Sequence, residues 1–462
     1  MPSNTIIKAA APIDLFDSPT ARKPRLAFKA RPPQELLNRP TVSMTLRSHS
    51  KSIEAKAAST SLLRLIHKPI GRRKKASKEY QAAIDTIVAD VLKGASYTPI
   101  RPCIRRMAAK DFTGAPMCRD VFERALTDLA TYDFVEVYKG DRAFRDREGF
   151  ITRILPLPRL TDLCATFGVI ASEHRRHFTY CHKADCTPPI QLRAATVRSA
   201  KWKARGKLLP VDYEDPRVKH EAARVRALNA FIRAHVVTGP VEAQLDEIAL
   251  YRGFNQGDQP GHDYRLGGRI YADGGSYQQL SSLERSRIRF NGEPVAEVDI
   301  SACFLTIAYA LTGTPLPSTG DPYSGPKLER AVVKAWVNMT LSHTRFHKRW
   351  PTEVVEDLAQ RGFPNLRKTH PIKRVENEIR AKLPVMANWP AVPISWPELF
   401  YEESEIMMDA MERLMSLGII GLPVHDSLLI PPSKMKEGIK AIQDAFYNRL
   451  GIMPKVEAKG TS

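Results

Sequence analysis

Asp299 and Asp426 are the residues of this chain best suited to chemistry. Asp299 ends an apolar run in Glu297-Val298-Asp299-Ile300-Ser301, and Asp426 sits between two apolar arms in Pro423-Val424-His425-Asp426-Ser427. A carboxylate at the end of a buried strand is costly unless a cation meets it. Two of them brought together would hold a pair of Mg²⁺ ions, the arrangement that clamps attacking and leaving oxygens in phosphoryl transfer. Between them in the chain stand Arg330 and Lys334, one helical turn apart, sharing a face suited to gripping a triphosphate. Taken singly, each has an ordinary reading. Asp299 would be a buried acid beside a helix capped by Ser301, and Arg330 with Lys334 would be a solvated helix face. A Ser-His-Asp hydrolase is disfavoured, because His425 and Asp426, as neighbours in extended chain, would point to opposite faces.

Local patterns predict the elements that must position these groups. Val295, Val298 and Ile300 flank Asp299, and Ala302 to Leu311 is apolar and helical in pattern. The chain therefore turns from strand to helix at Asp299–Ser301, where the Ile300 carbonyl would be a further metal ligand. Lys327 to Met339 predicts a helix after the Pro/Gly-rich loop 313–326, and Gly421 to Ile430 predicts a tight hairpin with Asp426 at its tip. Upstream lie Gly267-Gly268-Arg269-Ile270-Tyr271, then Tyr277-Gln278-Gln279-Leu280 and Arg285-Ser286-Arg287-Ile288-Arg289. Glycines beside an arginine let backbone approach a phosphate, and Gln can address base edges or sugar; Gly-Gly-Arg is also an ordinary turn. Glu402-Glu403-Ser404 opens an apolar helix expected beneath the hairpin, with Glu403 either an accessory carboxylate or an acid at a helix N-terminus. Asp321-Pro322-Tyr323 reads as a turn.

The first half reads differently. The chain has 462 residues and a net charge of +20, and residues 1–110 hold 22 Lys/Arg against 7 Asp/Glu. A cationic end of this kind suits a phosphate backbone. Residues 1–75, rich in Pro, Ser, Ala and basic residues, read as a largely disordered arm with a short helix near Ser61–His67. Over 76–175 a helix from Lys78, a helix over Val121–Ala130 and two alternating runs (134–138 and 149–155) resemble a winged helix, with Arg105, Arg106, Lys110, Arg119 and Arg124 on or beside the helices. A partner-protein domain is the other reading. Residues 176–264 read as a connector and the sole candidate thumb, with a helix near Pro216–Val236. His174, His177, Cys181, His182 and Cys186 raise zinc, although their spacing matches no structural zinc pattern. Six cysteines are too few for a disulfide scaffold, and no apolar run reaches membrane-spanning length. The expectation is a soluble cytoplasmic protein with no membrane partner.

Four segments over residues 265–450 together resemble the palm and fingers of family A DNA polymerases and the related single-subunit phage-type RNA polymerases. Gly268-Arg269-Ile270 with Gln278-Gln279 resembles the stretch that holds primer and template, Asp299-Ile300-Ser301 motif A, Arg330-x3-Lys334 motif B, and His425-Asp426-Ser427 motif C. The resemblance implies an α+β fold: a right-hand palm with an antiparallel sheet and reduced fingers over 265–462. It implies template-directed nucleotidyl transfer on a DNA primer–template from nucleoside triphosphates, with two Mg²⁺ ions (Mn²⁺ as a substitute) on Asp299, Ile300 and Asp426. Lys334 and Arg330 would bind the triphosphate, Phe304 and Asn338 the nucleotide, and Arg269, Gln278, Gln279 and His425 primer and template. This chain departs from the family at Asn338, Ser342 and His343, where an aromatic and a Tyr-Gly pair are usual, and has Phe304 where the DNA enzymes have Glu and the RNA enzymes Gly. A bulky Phe304 would block a ribose 2′-hydroxyl, a lean toward deoxynucleotides. No proofreading carboxylate set is evident. A role in phage or mobile-element replication would suit such economy. The alternatives are an RNA polymerase or primase, a DNA-binding initiator whose palm does not catalyse, and a two-metal nuclease, which would not need Arg330 and Lys334 on one face.

Overall fold

Ala55, Ala58, Leu62 and Ile66 recur at helical spacing and are all buried on helix α1 (Ile53–Ile66). Tyr80, Ile84, Ile87, Val88 and Val91 do the same on α2 (Lys74–Ala95). These helices come from a computed structural model that describes residues 28–66, 74–108, 112, 115–141, 149–198, 203–204, 206–240, 245–273, 277–316, 320–324, 327–343, 345–389, 391–392 and 394–459. The described residues divide into two units between Tyr180 and Cys181.

In the first unit, strands β1 (Val42–Ser43), β2 (Cys103–Arg105), β3 (Val135–Tyr138) and β4 (Thr152–Pro156) form one sheet in the order β1-β2-β4-β3. β3 and β4 pair antiparallel from Val135↔Pro156 to Tyr138↔Arg153, β4 pairs antiparallel with β2, and β1 joins β2 in parallel. Helix α3 (Arg119–Thr131) buries Phe122, Ala125, Leu126 and Leu129. The expectation of a disordered arm through residue 75 is corrected over 28–66, where an Ala/Leu stripe inside the basic composition builds α1, and at Lys74 and Lys75, which begin α2; residues 1–27 and 67–73 lie outside the described residues. Arg105 is also corrected. It lies on a strand and not on a helix, is buried, and its Nη1 donates to the Met44 carbonyl at 2.9 Å. Lys110 lies outside the described residues.

In the second unit, β5 (Ile190–Arg193), β6 (Leu208–Leu209), β7 (Leu250–Phe254) and β8 (Gly267–Ala272) form a sheet in the order β6-β5-β7-β8. Helix α4 (Pro216–Arg233) is tied to β7 through Asn229, whose amide donates to and accepts from the Leu250 backbone at 3.0 and 2.8 Å. The expected division at 264/265 therefore falls between two hydrogen-bonded strands, β7 and β8, and the stretch read as a connector is part of their sheet. A second sheet, all antiparallel, contains β9 (Ala296–Ile300), β10 (Leu422–Val424), β11 (Ser427–Ile430) and β12 (Val456–Lys459) in the order β10-β11-β9-β12. Helices α5 (Cys303–Leu311), α6 (Arg330–Leu341), α7 (Trp396–Ser416) and α8 (Met435–Leu450) share one core with it, which includes Val298, Leu305, Trp336, Met407, Leu428 and Phe446. The protein is thus a mixed α+β structure with several small sheets. Among the described residues no helix is long and apolar enough to cross a membrane.

Candidate active site

The site is built on β9, the strand between the hairpin and the C-terminal strand. Asp299 is registered with Ser427 of β11 on one side and Glu457 of β12 on the other, and residues directly opposite one another in a sheet share a face. The hairpin turns at His425-Asp426, where His425 takes φ 59°. The Ile300 N–H donates to the Asp426 carbonyl at 3.1 Å, which ties the tip of the turn to the end of β9. After Ser301, whose N–H donates to the Lys455 carbonyl at 2.9 Å, Ala302 adopts φ 53° and swings the chain into α5.

Asp299 and Asp426, both half-buried, line a cavity of about 720 Å³. Ile300, Phe304, Arg269, Arg330, Lys334, Asn338, His425, Tyr323 and Glu457 line it as well. Arg330, Lys334 and Asn338 reach it from successive turns of α6, as their spacing requires. Lys334 is exposed and makes no ion pair among the described residues. Arg330 pairs with Asp321 and lies over the Tyr323 ring, 5.6 Å from its centroid.

Arg269 is held from three sides. Its Nε and Nη2 donate to the two Glu403 oxygens at 2.8 and 2.7 Å, and its guanidinium lies 3.9 Å from the Phe400 ring centroid and 5.3 Å from that of Phe304. The Phe304 and Phe400 rings stack at 5.0 Å. The Glu403 carboxyl is pushed up to about 7, by burial first and by nearby Asp426, against the downward pull of Arg269. Desolvation and the Arg269 charge hold the His425 imidazole below its ordinary value, against the pull of Asp426. Glu457 accepts from Ser301 Oγ at 2.8 Å and pairs with Lys455; Lys455, then Ser301, keep it below the usual carboxylate range. Two residues before Asp299 on β9, Glu297 accepts from Arg285 at 3.0 and 2.8 Å and from Ser427 Oγ at 3.1 Å.

No family model and no curated protein matches the chain. Among solved structures it is similar to the POL domain of Pol1 from M. smegmatis in complex with DNA primer-template and dNTP, with 12% sequence identity and a TM-score of 0.26. The match covers 58% of this chain and 57% of that one, less than two thirds of its length.

Nine of the residues singled out from the sequence thus come together: Arg269, Asp299, Ile300, Phe304, Arg330, Lys334, Asn338, His425 and Asp426. Gln278 does not join them. Its Nε2 donates to the carbonyls of Ile270 and Pro423 at 3.1 and 2.9 Å and its Oε1 accepts from the Ala272 N–H at 3.0 Å, so the amide clasps β8 to the hairpin instead of reading a base. Gln279 is exposed and outside the cavity lining. The glycines of β8 serve an internal approach, since a Cβ on Gly268 would come within 2.6 Å of Arg252 Nη2. Glu403 lies inside α7, not at its start, because Ser395, Pro397 and Glu398 open that helix earlier. Ser301 caps nothing; its hydroxyl is spent on Glu457. The opposed-faces argument for His425 and Asp426 fails at the turn, where both line the cavity.

Tyr323 and Glu457 were missed. Tyr323 was read only as turn, and Glu457 carries no signal without the register of β12. The two aspartates and the Ile300 carbonyl are oxygen donors only, which suits Mg²⁺, an ion commonly held by one or two carboxylates with substrate phosphates and water completing its shell. Among the described residues, no three His, Cys, Asp or Glu are grouped to hold a metal by themselves. That includes the zinc candidates: His177 shares a hydrogen bond with Ser52 Oγ at 3.0 Å, His182 Nδ1 accepts from the Ala184 N–H at 3.1 Å, and the His174 ring packs edge-on to Tyr180.

Proposed function

We propose that the chain is a template-directed nucleotidyl transferase with a polymerase-like palm and reduced fingers, joining nucleoside triphosphates to a DNA primer–template. One observation carries this reading: two carboxylates from a strand end and a hairpin turn, and two cations from one helix face, line a single cavity although they are scattered from residue 299 to residue 426. Asp299, Asp426 and the Ile300 carbonyl would hold Mg²⁺, whose chemistry is to neutralise phosphate charge and make the primer hydroxyl more acidic. Lys334 is available to bind the triphosphate and to protonate the departing pyrophosphate. Arg330 would take the outermost phosphate, and His425, beside Asp426, would orient the primer terminus. Positioning and charge neutralisation supply most of the rate in such a transfer. The basic, strand-hairpin first unit would act as a winged-helix-like nucleic-acid binder, and phage or mobile-element replication is the setting we favour.

Extension of a labelled primer–template with Mg²⁺ tests the proposal. Wild type extends the primer, and Asp299→Ala or Asp426→Ala each lowers the rate by ~10²-fold or more, the scale of losing a charge-stabilising group. No extension by wild type, despite tight DNA binding, would leave a non-catalytic initiator. Phe304, stacked on Phe400 at the cavity wall, supports a preference for deoxynucleotides. Phe304→Ala therefore raises ribonucleotide relative to deoxynucleotide incorporation by ~10-fold or more. Equal discrimination by wild type and variant would remove that role, and ribonucleotide preference in wild type would make the chain an RNA polymerase or primase.

A further inference from the structure

Asp321 does not line the cavity, but it holds Arg330, which does. Its Oδ1 accepts from the Tyr323 N–H at 3.0 Å and its carbonyl accepts from the Ser324 N–H at 3.0 Å, so a turn fixes the carboxylate. Its Oδ2 accepts from Arg330 Nε. The Arg330 side chain keeps 58% of its exposure and that of Asp321 29%, so the pair is solvated and readily exchanged. The guanidinium rests on the Tyr323 ring, a buried wall of the cavity, which leaves it at the cavity rim whether or not Asp321 holds it. Asp321 would not be stranded if Arg330 left. Lys382 Nζ donates to the Pro322 carbonyl at 3.1 Å. Although burial works the other way, the Tyr323 N–H, Arg330 and Lys382 together keep the Asp321 carboxyl below its ordinary range. Lys334, one turn along α6, has no comparable partner among the described residues.

We propose that Asp321 is a positioning residue that competes with the nucleotide for Arg330. It holds the guanidinium before a nucleoside triphosphate binds and yields it to the outermost phosphate, and so sets nucleotide affinity. This rests on reading the cavity as a triphosphate site. Chemically the exchange is one anion for another on the same cation, with no bond made or broken.

The test is titration of the full chain with a fluorescent deoxynucleoside triphosphate in Mg²⁺, for wild type, Asp321→Asn, Arg330→Ala and the double variant. Asn keeps the oxygen that accepts from Tyr323, so the turn is retained while the charge is lost. Asp321→Asn tightens binding about two- to fivefold, the scale of a solvated ion pair, and lowers the apparent KM for extension with kcat unchanged. In the Arg330→Ala background the same change has no effect. Weaker binding by Asp321→Asn would make Asp321 an orienter of Arg330, not its competitor. Unchanged binding, or tightening that persists without Arg330, would equally overturn the proposal. Those failures differ from that of the triphosphate reading, which falls, taking this proposal with it, if wild type binds no nucleoside triphosphate at all.

Discussion

At the scale of the residue, Glu403 departs furthest from its sequence reading. It is 1% exposed, and the bidentate bond from Arg269 compensates its charge. Burial raises its pKa from 4.5 to about 7, so between those values the folded chain holds a proton that the unfolded chain has released. Stability from this group is fully present below 4.5 and is lost as pH rises through about 7. Urea midpoints of wild type should therefore fall between pH 5 and 7.5 by an amount that Glu403→Gln, which cannot ionise, does not show. Parallel pH profiles for the two proteins would mean that Arg269 holds the carboxylate ionised throughout. Because Arg269 also touches Phe304 and Phe400, a cavity residue is positioned by an ion pair whose partner lies 134 residues away. Pairings at that separation leave no local trace in a sequence. Lys334 was legible for the opposite reason: its place beside Arg330 follows from helical spacing alone.

At the scale of the element, the strand end at Asp299, the helix face of α6 and the hairpin turn were all legible, since each is set by an apolar pattern broken by a polar residue. What the patterns lack is register. Only the pairing of β12 with β9 brings Glu457 opposite Asp299, and Val456-Glu457-Ala458-Lys459 is too short and too polar to announce itself as the edge strand of that sheet. Strand β8 makes the same point through Gly268. A glycine next to Arg269 suggested room for a phosphate, whereas φ 72° and the packing of Arg252, Phe254 and Ser404 around it consume that room. Arg252 cannot step aside, being fully buried, with its Nε bonded to the Gly268 carbonyl at 2.8 Å and its Nη2 to Ser404 Oγ at 2.8 Å. Gly418 has a similar φ of 69° with nothing near its missing Cβ. Alanine at either position bears the left-handed strain of about 1 kcal/mol, and only at 268 does a clash add to it. Gly268→Ala should therefore cost about 2 kcal/mol more than Gly418→Ala in denaturant unfolding. Equal costs would show that β8 can move away from α7.

At the scale of the molecule, charge and chemistry are divided along the chain. Every residue lining the candidate active site belongs to the second unit, and each unit has a core of its own. Three quarters of the excess positive charge precedes residue 111, in the half that holds none of the candidate catalytic groups. A basic segment that binds DNA releases condensed counterions, and affinity then falls with salt by a log–log slope of about 0.9 for each phosphate neutralised. If the first unit supplies the phosphate contacts, residues 181–462 expressed alone should bind a DNA duplex more weakly and with a shallower salt slope than the full chain. The same fragment should keep its affinity for a nucleoside triphosphate, because Arg330, Lys334, Asp299 and Asp426 are all retained. Fluorescence anisotropy over a range of NaCl concentrations measures both slopes. A fragment with the full slope would move the DNA contact into the second unit, and the helix and hairpin of the first unit would then be read as a docking module for another protein.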